Sequence, residues 1–315
     1  MMERNAKIWV AGQNTLLGGA IQRRLEREGF VHRICEPAKL DWMQPQQVEA
    51  FLGEARPQYL FLAAGRSGGI GANQQFPADL MRDNLLTFTN VIGSAHRHGV
   101  TKLLYLASSC SYPRDCPQPM RPEMLMTGPL EPTNHAYATA KLAGIALCQA
   151  YRQQYGVDFI TVIPANDYGP GDDFSADNAH VVSALIRKMH MAKQEGAAYV
   201  TVWGSGQARR EFAYADDLAD ACLFAMQNYS DAAPLNLGSG EEVSIAELAE
   251  AVRAVVGYTG ELQFDTTRPD GMPLKRLDTT PLRAMGWQPA TSLKEGLEAT
   301  YAWFLDSPFS FRGNT

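Results

Sequence analysis

A phenol and an ammonium stand four positions apart in Tyr137-Ala138-Thr139-Ala140-Lys141. On a helix that spacing brings both side chains to one face. An ammonium beside a phenol lowers the pKa of the phenol, so the hydroxyl could deliver or take a proton at neutral pH. A surface pair on any helix would show the same spacing, but the order of the chain argues against chance. The apolar run KLLYLAS leads into Ser108-Ser109, roughly thirty residues before the tyrosine. Ser108 is the hydroxyl expected to orient a substrate carbonyl.

The second constellation lies near the N-terminus, where the strand-like KIWVA runs into Gly12-Gln13-Asn14-Thr15-Leu16-Leu17-Gly18 and then a helical pattern. This places backbone N–H groups and a helix N-terminus where the pyrophosphate of a dinucleotide can sit. Thr15 stands where the usual G-x-x-G-x-x-G spacing has its middle glycine, and it adds a side chain where the backbone should approach the ligand. The second strand is followed by Glu36 and Pro37. A carboxylate there suits the ribose hydroxyls of NADH and repels the 2′-phosphate of NADPH. Asp41 is a candidate contact to the adenine amino group.

These residues need elements to position them. From the N-terminus, KIWVA, VHRIC, YLFLAA, KLLYLAS and DFITVI alternate with helical patterns at Thr15 to Arg27, Pro45 to Leu52, Pro77 to His98 and Tyr137 to Tyr155. Strands separated by helix-length crossovers imply an α/β fold, a doubly wound parallel sheet covered on both faces. Residues 1–168 read as the dinucleotide-binding domain, with later segments returning to it. After Gly169 the texture changes to GPGDDFSADNAH and shorter strands, YVTVW, REFAY, PLNLG and LQFD. Residues 169–315 read mainly as a smaller α/β substrate lobe, with helices at Asp216 to Met226, Ser244 to Val256 and Ser292 to Phe304.

Bulk properties exclude several classes. The 315 residues carry a net charge of -6, with 45% hydrophobic content, and the pI is near 5.6. That balance argues against a nucleic-acid footprint, which draws on surplus Lys and Arg. No apolar run reaches the ~20 residues that span a bilayer, and the start lacks a signal-peptide stretch, so the cytoplasm is expected. Five cysteines without paired close spacing read as free thiols, and no metal site is expected.

The stretch LASSCSYP, preceded by AAGRSGGIGAN and followed by EPTNHAYATAKLAG, resembles the GDP-L-fucose synthase family of extended short-chain dehydrogenase/reductases. The similarity runs over nearly the whole chain. NDYGPGDDF, Asn178-Ala179-His180-Val181, VWGSGQARREF and RPDGMPLKRLD match in register. The resemblance implies epimerisation of a GDP-linked 4-keto-6-deoxy sugar at C3 and C5, then hydride reduction at C4. Cys110 and His180 would be the epimerisation pair, because inverting a centre needs a base and an acid on opposite faces of the ring. A thiol close to a positive group can be poised near neutrality for that task.

The same resemblance implies cofactor contacts at Gly12, Asn14, Thr15, Leu16, Gly18, Ala63, Ala64, Pro164, Asn166 and His180, beside Tyr137 and Lys141. Substrate contacts would fall on Ser108, Asn166, Lys188, Trp203, Arg210 and Asp270, with Arg210 and Lys188 neutralising phosphate oxygens and Trp203 offering a flat face. The chain departs from the family at these sites. Lys188 replaces an arginine, and N-L-Y-G-P reads Asn166-Asp167-Tyr168-Gly169-Pro170. The family uses NADPH, whereas Glu36 and the missing arginines at Asn14 and near Cys35 favour NADH. A homodimer formed through long helices, that of Tyr137 among them, is implied as well. The rival expectations are a related epimerase or 4-reductase for another deoxy sugar or a heptose, and a non-catalytic nucleotide-sugar-binding relative. Intact Tyr137, Lys141, Cys110 and His180 argue against the last.

Overall fold

The apolar runs IWVA, YLFL, KLLYL and DFITVIP are too short to be buried helices, and a helical crossover separates each from the next, so they pair as parallel strands. The structure is a computed structural model that describes residues 2–176 and 179–308. Its first half comprises β1 (Ile8–Ala11), α1 (Leu16–Arg27), β2 (Arg33–Ile34), α2 (Pro45–Ala55), β3 (Tyr59–Leu62), α3 (Ile70–Gln75), α4 (Pro77–Arg97), β4 (Lys102–Leu106), α5 (His135–Tyr155), β5 (Asp158–Pro164) and β6 (Asn166–Tyr168). There follow α6 (Val181–Glu195), β7 (Tyr199–Trp203), β8 (Arg209–Tyr214), α7 (Ala215–Asn228), β9 (Leu235–Leu237), β10 (Glu242–Ser244), α8 (Ile245–Val256), β11 (Glu261–Asp265), β12 (Leu274–Lys275), α9 (Thr280–Ala284) and α10 (Leu293–Asp306).

The large sheet runs β2-β1-β3-β4-β5-β9, and every pairing in it is parallel. Both faces of its centre are covered, so every residue of β1 and β4 is buried. The strand β9 and helix α7 come from beyond residue 168, yet β9 joins this sheet and α7 packs on it. Arg23 and Arg24 of α1 pair with Asp216 and Asp220 of α7 at 2.6 Å each. A second apolar core, including Tyr168, Ile186, Val252 and Phe304, is built by α6, α8, α10 and the small sheets around β8 and β7.

The structure adds elements that periodicity did not reveal. The strands β6, β10 and β12 span two or three residues, and α3 spans six, too short for any period to register. The helix α6 follows the Pro, Gly and Asp cluster directly and is absent from the expected elements. The expected match at Asn178 lies outside the described residues. No described helix is long and apolar enough to cross a membrane.

Gly144 shows how closely α5 is seated on β4. A Cβ there would stand 2.4 Å from the ring of fully buried Tyr105. Replacing a helical glycine by alanine ordinarily gains up to ~1 kcal/mol, whereas forcing an atom into a filled core costs about 1–3 kcal/mol. We therefore expect Gly144→Ala to lower the midpoint of thermal unfolding, followed by circular dichroism. A raised midpoint would show that the helix sits farther from the sheet.

Candidate active site

The cofactor-side residues gather where β1 ends. Gly12 has φ +87, and a Cβ on it would lie 2.6 Å from the Ala64 nitrogen at the end of β3. At Gly18 a Cβ would stand 1.9 Å from the Gly12 carbonyl oxygen. Only glycine permits this turn and this approach. Thr15 does not intrude on the ligand side as its residue type suggested. It is the N-cap of α1, its Oγ1 accepting from the Gly18 N–H at 3.1 Å and donating to the Gly12 carbonyl at 2.8 Å. A short hydroxyl folds back into the loop and satisfies a helix-end donor.

Glu36 lies across this loop, and its carboxylate accepts from the Gly12 N–H at 3.2 Å. Burial raises its pKa, against the Gly12 N–H and the indoles of Trp42 and Trp9. Those two indole N–H groups are buried without a partner at hydrogen-bonding distance, so they act on the carboxylate from farther away. Asn14 is exposed beside the loop. Leu16 opens α1 and Ala63 follows β3. Asp41 is occupied locally, accepting from the Met43 N–H at 3.0 Å.

The residues expected to be catalytic meet beyond the ends of β4 and β5. Ser108 caps a short 3-10 turn, Ser109–Ser111, and accepts from the Cys110 N–H at 3.2 Å. The helix α5 brings Tyr137 and Lys141 to the same place. The Lys141 ammonium donates to the Leu106 carbonyl at 2.9 Å and stands 5.8 Å from the centre of the Tyr137 ring. The expected lowering of the Tyr137 pKa is not what the protein's own groups produce. Burial pushes the phenol well up, the negative charge of Cys110 adds to this, and the Ser108 hydroxyl opposes it. Burial also brings the Lys141 ammonium down to about 8, against the pull of Asp167 and Cys110. In a site sheltered from water, desolvation of both groups outweighs a separated charge–phenol attraction.

Cys110 is half-buried, and its sulfur receives the Asn134 amide at 3.2 Å and the Lys275 ammonium at 3.4 Å. Burial pushes the thiol up, but Lys275, Ser108 and Arg210 outweigh it and hold the pKa below that of an ordinary thiol. His180 is the residue before α6, and its side chain does not cap the helix. Asp167 lies within electrostatic reach of both His180 and Lys141. Burial raises the pKa of Asp167 and pushes that of Asp172 up to about 6, with His180 opposing in both. At the C-terminal end of β5 stands Pro164, and the Asn166 amide donates to the Glu211 carbonyl at 2.8 Å.

The substrate-side residues form two groups. Arg210 lies near Cys110 and donates to the Asp270 carbonyl at 3.0 Å, while the Asp270 carboxylate holds Ser205. Farther out, Trp203 is half exposed, flanked by the Lys188 ammonium at 5.3 Å and the Arg268 guanidinium at 4.7 Å from its ring centre. A separate cavity of about 290 Å³, lined by Tyr214, Trp287 and Thr291 among others, includes none of the expected site residues. Sequence reasoning assigned no role to Lys275, Asn134 or Arg268. The segments RPDGMPLKRLD and EPTNHAYATAKLAG contain them, but no spacing links position 275 to position 110.

A model of the NAD dependent epimerase/dehydratase family matches residues 8–238. This chain belongs to that family. As a member it is a nicotinamide-dependent enzyme, and its glycine loop fits the group: the turn at Gly12 and Gly18 has no room for a Cβ, and a helix N-terminus faces it. GDP-L-fucose synthase 1 of Arabidopsis thaliana is 50% identical to this chain over 306 residues, 97% of this chain and 95% of the relative. Among solved structures, a GDP-6-OMe-4-keto-L-xylo-heptose reductase from C. jejuni aligns with a TM-score of 0.92 at 33% identity, covering 97% of this chain and 99% of that one. A GDP-L-fucose synthetase from Naegleria fowleri bound to NADP aligns with a TM-score of 0.90 at 28% identity, covering 97% and 94%.

Proposed function

We propose that this chain epimerises a GDP-linked 4-keto-6-deoxy sugar at C3 and C5 and then reduces its C4 ketone, as GDP-L-fucose synthase does. The observation that carries this reading is Cys110, its sulfur flanked by Asn134 and Lys275, in the same pocket as Ser108, Tyr137 and Lys141. A reductase alone has no use for a second, sulfur-based proton acceptor beside its proton donor. Relatives at about half identity over nearly the whole chain carry the activity's name.

Each group has a role consistent with its surroundings. The Cys110 thiolate removes the proton next to the ketone, and His180 returns one on the opposite face. Ser108 holds the C4 oxygen and Tyr137 protonates it; a reduced nicotinamide held at the glycine loop would supply the hydride. A phenol raised by burial remains protonated at neutral pH, which suits a donor to a forming alkoxide. Arg210, with Lys188 and Trp203 farther out, holds the nucleoside diphosphate. Gly12, Asn14, Thr15, Leu16 and Gly18 would hold the cofactor at its pyrophosphate, and Ala63, Ala64, Pro164 and Asn166 would line it.

We infer a preference for NADH. Glu36 already accepts from the glycine loop where a 2′-phosphate would stand, and neither Asn14 nor Cys35 supplies a guanidinium there. A homodimer formed through long helices such as α5, and a cytoplasmic location, complete the proposal.

Incubating the protein with GDP-4-keto-6-deoxy-mannose and each nicotinamide, with the product identified by NMR, tests both parts. We expect an epimerised, reduced sugar, formed faster with NADH than with NADPH. A lasting ketone excludes reduction, and a strong NADPH preference excludes the role given to Glu36. A narrower reading, C4 reduction of a GDP-linked keto-heptose, is favoured by the likeness to the C. jejuni reductase. A reduced but unepimerised product would select it.

A further inference from the structure

Cys110 receives its two donors from distant parts of the chain. Asn134 immediately precedes α5, and Lys275 ends β12, 165 positions from the cysteine. Lys275 is buried, and among the described residues its ammonium makes no ion pair with a carboxylate. An ammonium taken out of water requires an opposite charge nearby. A neutral thiol is a weak acceptor that leaves this cation uncompensated, whereas a thiolate is a full counter-charge. The Asn134 amide turns its N–H toward the same sulfur, and its carbonyl oxygen is left buried without a partner. Buried carbonyls are rarely left so. The arrangement is consistent if the N–H is held at the sulfur by negative charge.

We propose that Lys275 and Asn134 are positioning residues that hold Cys110 as a thiolate, with Lys275 as its resident counter-ion. The proposal deepens the reading of Cys110 as the epimerisation base and rests on it for its consequence in turnover. In that step the sulfur takes the proton from carbon, the C–H electron pair passes into the enolate, and His180 supplies the proton of the new C–H bond. Solvent then takes the thiol proton and restores the one on the imidazole. Lys275 keeps its own proton throughout.

Other charged groups face this pair. Arg210 of β8 and Lys141 of α5 add positive charge beside the sulfur, and Tyr137 shares its surroundings. Asp167 of β6 interacts with Lys275, but burial disfavours its charged form and His180 and Lys141 draw on it as well. Lys275 is the one cation hydrogen-bonded to the sulfur among the described residues.

Alkylation of the intact protein with iodoacetamide across a pH series, read by mass spectrometry on the Cys110 peptide, isolates this thiol from the other four. The midpoint reports the thiol pKa and is read in preference to the rate, because a more basic thiolate is also a better nucleophile. We expect the natural protein to show a midpoint below the ordinary thiol value of ~8.5. Lys275→Met should raise it by about one pH unit or more, a roughly tenfold loss of thiolate near neutrality, and Lys275→Arg should restore most of it. Exchange of the C3 and C5 hydrogens with solvent deuterium should fall in Lys275→Met in parallel.

A natural protein whose Cys110 titrates at or above an ordinary thiol overturns the proposal without any variant. So does an unchanged midpoint in folded Lys275→Met. A raised midpoint with undiminished exchange would support the ion pair and remove Cys110 from the role of base.

Discussion

Replacing Tyr137 by phenylalanine should lower hydride transfer between roughly a hundredfold and ten-thousandfold, the span typical of losing a positioned general acid. The expectation follows from where α5 places the hydroxyl: buried, beside Ser108, and kept in its protonated form by desolvation. Without it the C4 oxyanion would have to take its proton from water, a less well positioned donor. The ring itself is retained, so the packing of α5 on β4 and the affinity for nucleotide should change little. Single-turnover absorbance of the nicotinamide, with calorimetric binding of GDP, separates the two effects. Full turnover in Tyr137→Phe would remove the proton-donor role. The pH profile adds a second check on the same pair. Lys141 loses its ammonium as pH rises through about 8, so reduction should slow above that pH, and Lys141→Arg should move the fall to higher pH.

Replacing Cys110 by serine should suppress solvent-deuterium entry at C3 and C5 by a comparable factor. A serine hydroxyl is not measurably ionised where a thiol held down by Lys275 and Arg210 is. Both side chains are small, so the short turn after β4 should persist. Reduction of a sugar supplied already epimerised should survive in Cys110→Ser, because Ser108, Tyr137 and Lys141 are untouched. In the natural protein, exchange should rise with pH as the thiol ionises and level off earlier than an ordinary thiol would allow. Exchange that continues unchanged in Cys110→Ser would show that another base removes the protons. Loss of both reactions together would show a structural role for the cysteine.

Much of this was legible in the sequence because it is local. The glycine turn, the Tyr-x-x-x-Lys face and the alternation of apolar runs with helical crossovers each follow from the spacing of neighbouring residues, and the sheet and the glycine loop formed accordingly. Thr15 departs from its expected placement for a local reason as well. A threonine at that place is a steric obstacle only if its side chain points outward, and capping α1 turns it inward. The helix α6 was not legible although its apolar residues recur at helical spacing, because His180 at its start is not one of the residue types that cap a helix.

What the sequence by itself determined is which side chains are available and the scaffold that carries them: phenol, ammonium, thiol and imidazole on a parallel α/β sheet. Tertiary structure alone decided their ionisation. Charge on Tyr137, Lys141 and Cys110 depends on how much water each loses and which groups come within a few ångströms, and those neighbours arrive from β8, β12 and β6, far along the chain. Desolvation and Coulomb attraction act through space. No spacing in the sequence could pair Lys275 with Cys110 before the small sheet around β8 had brought β12 to the end of β4.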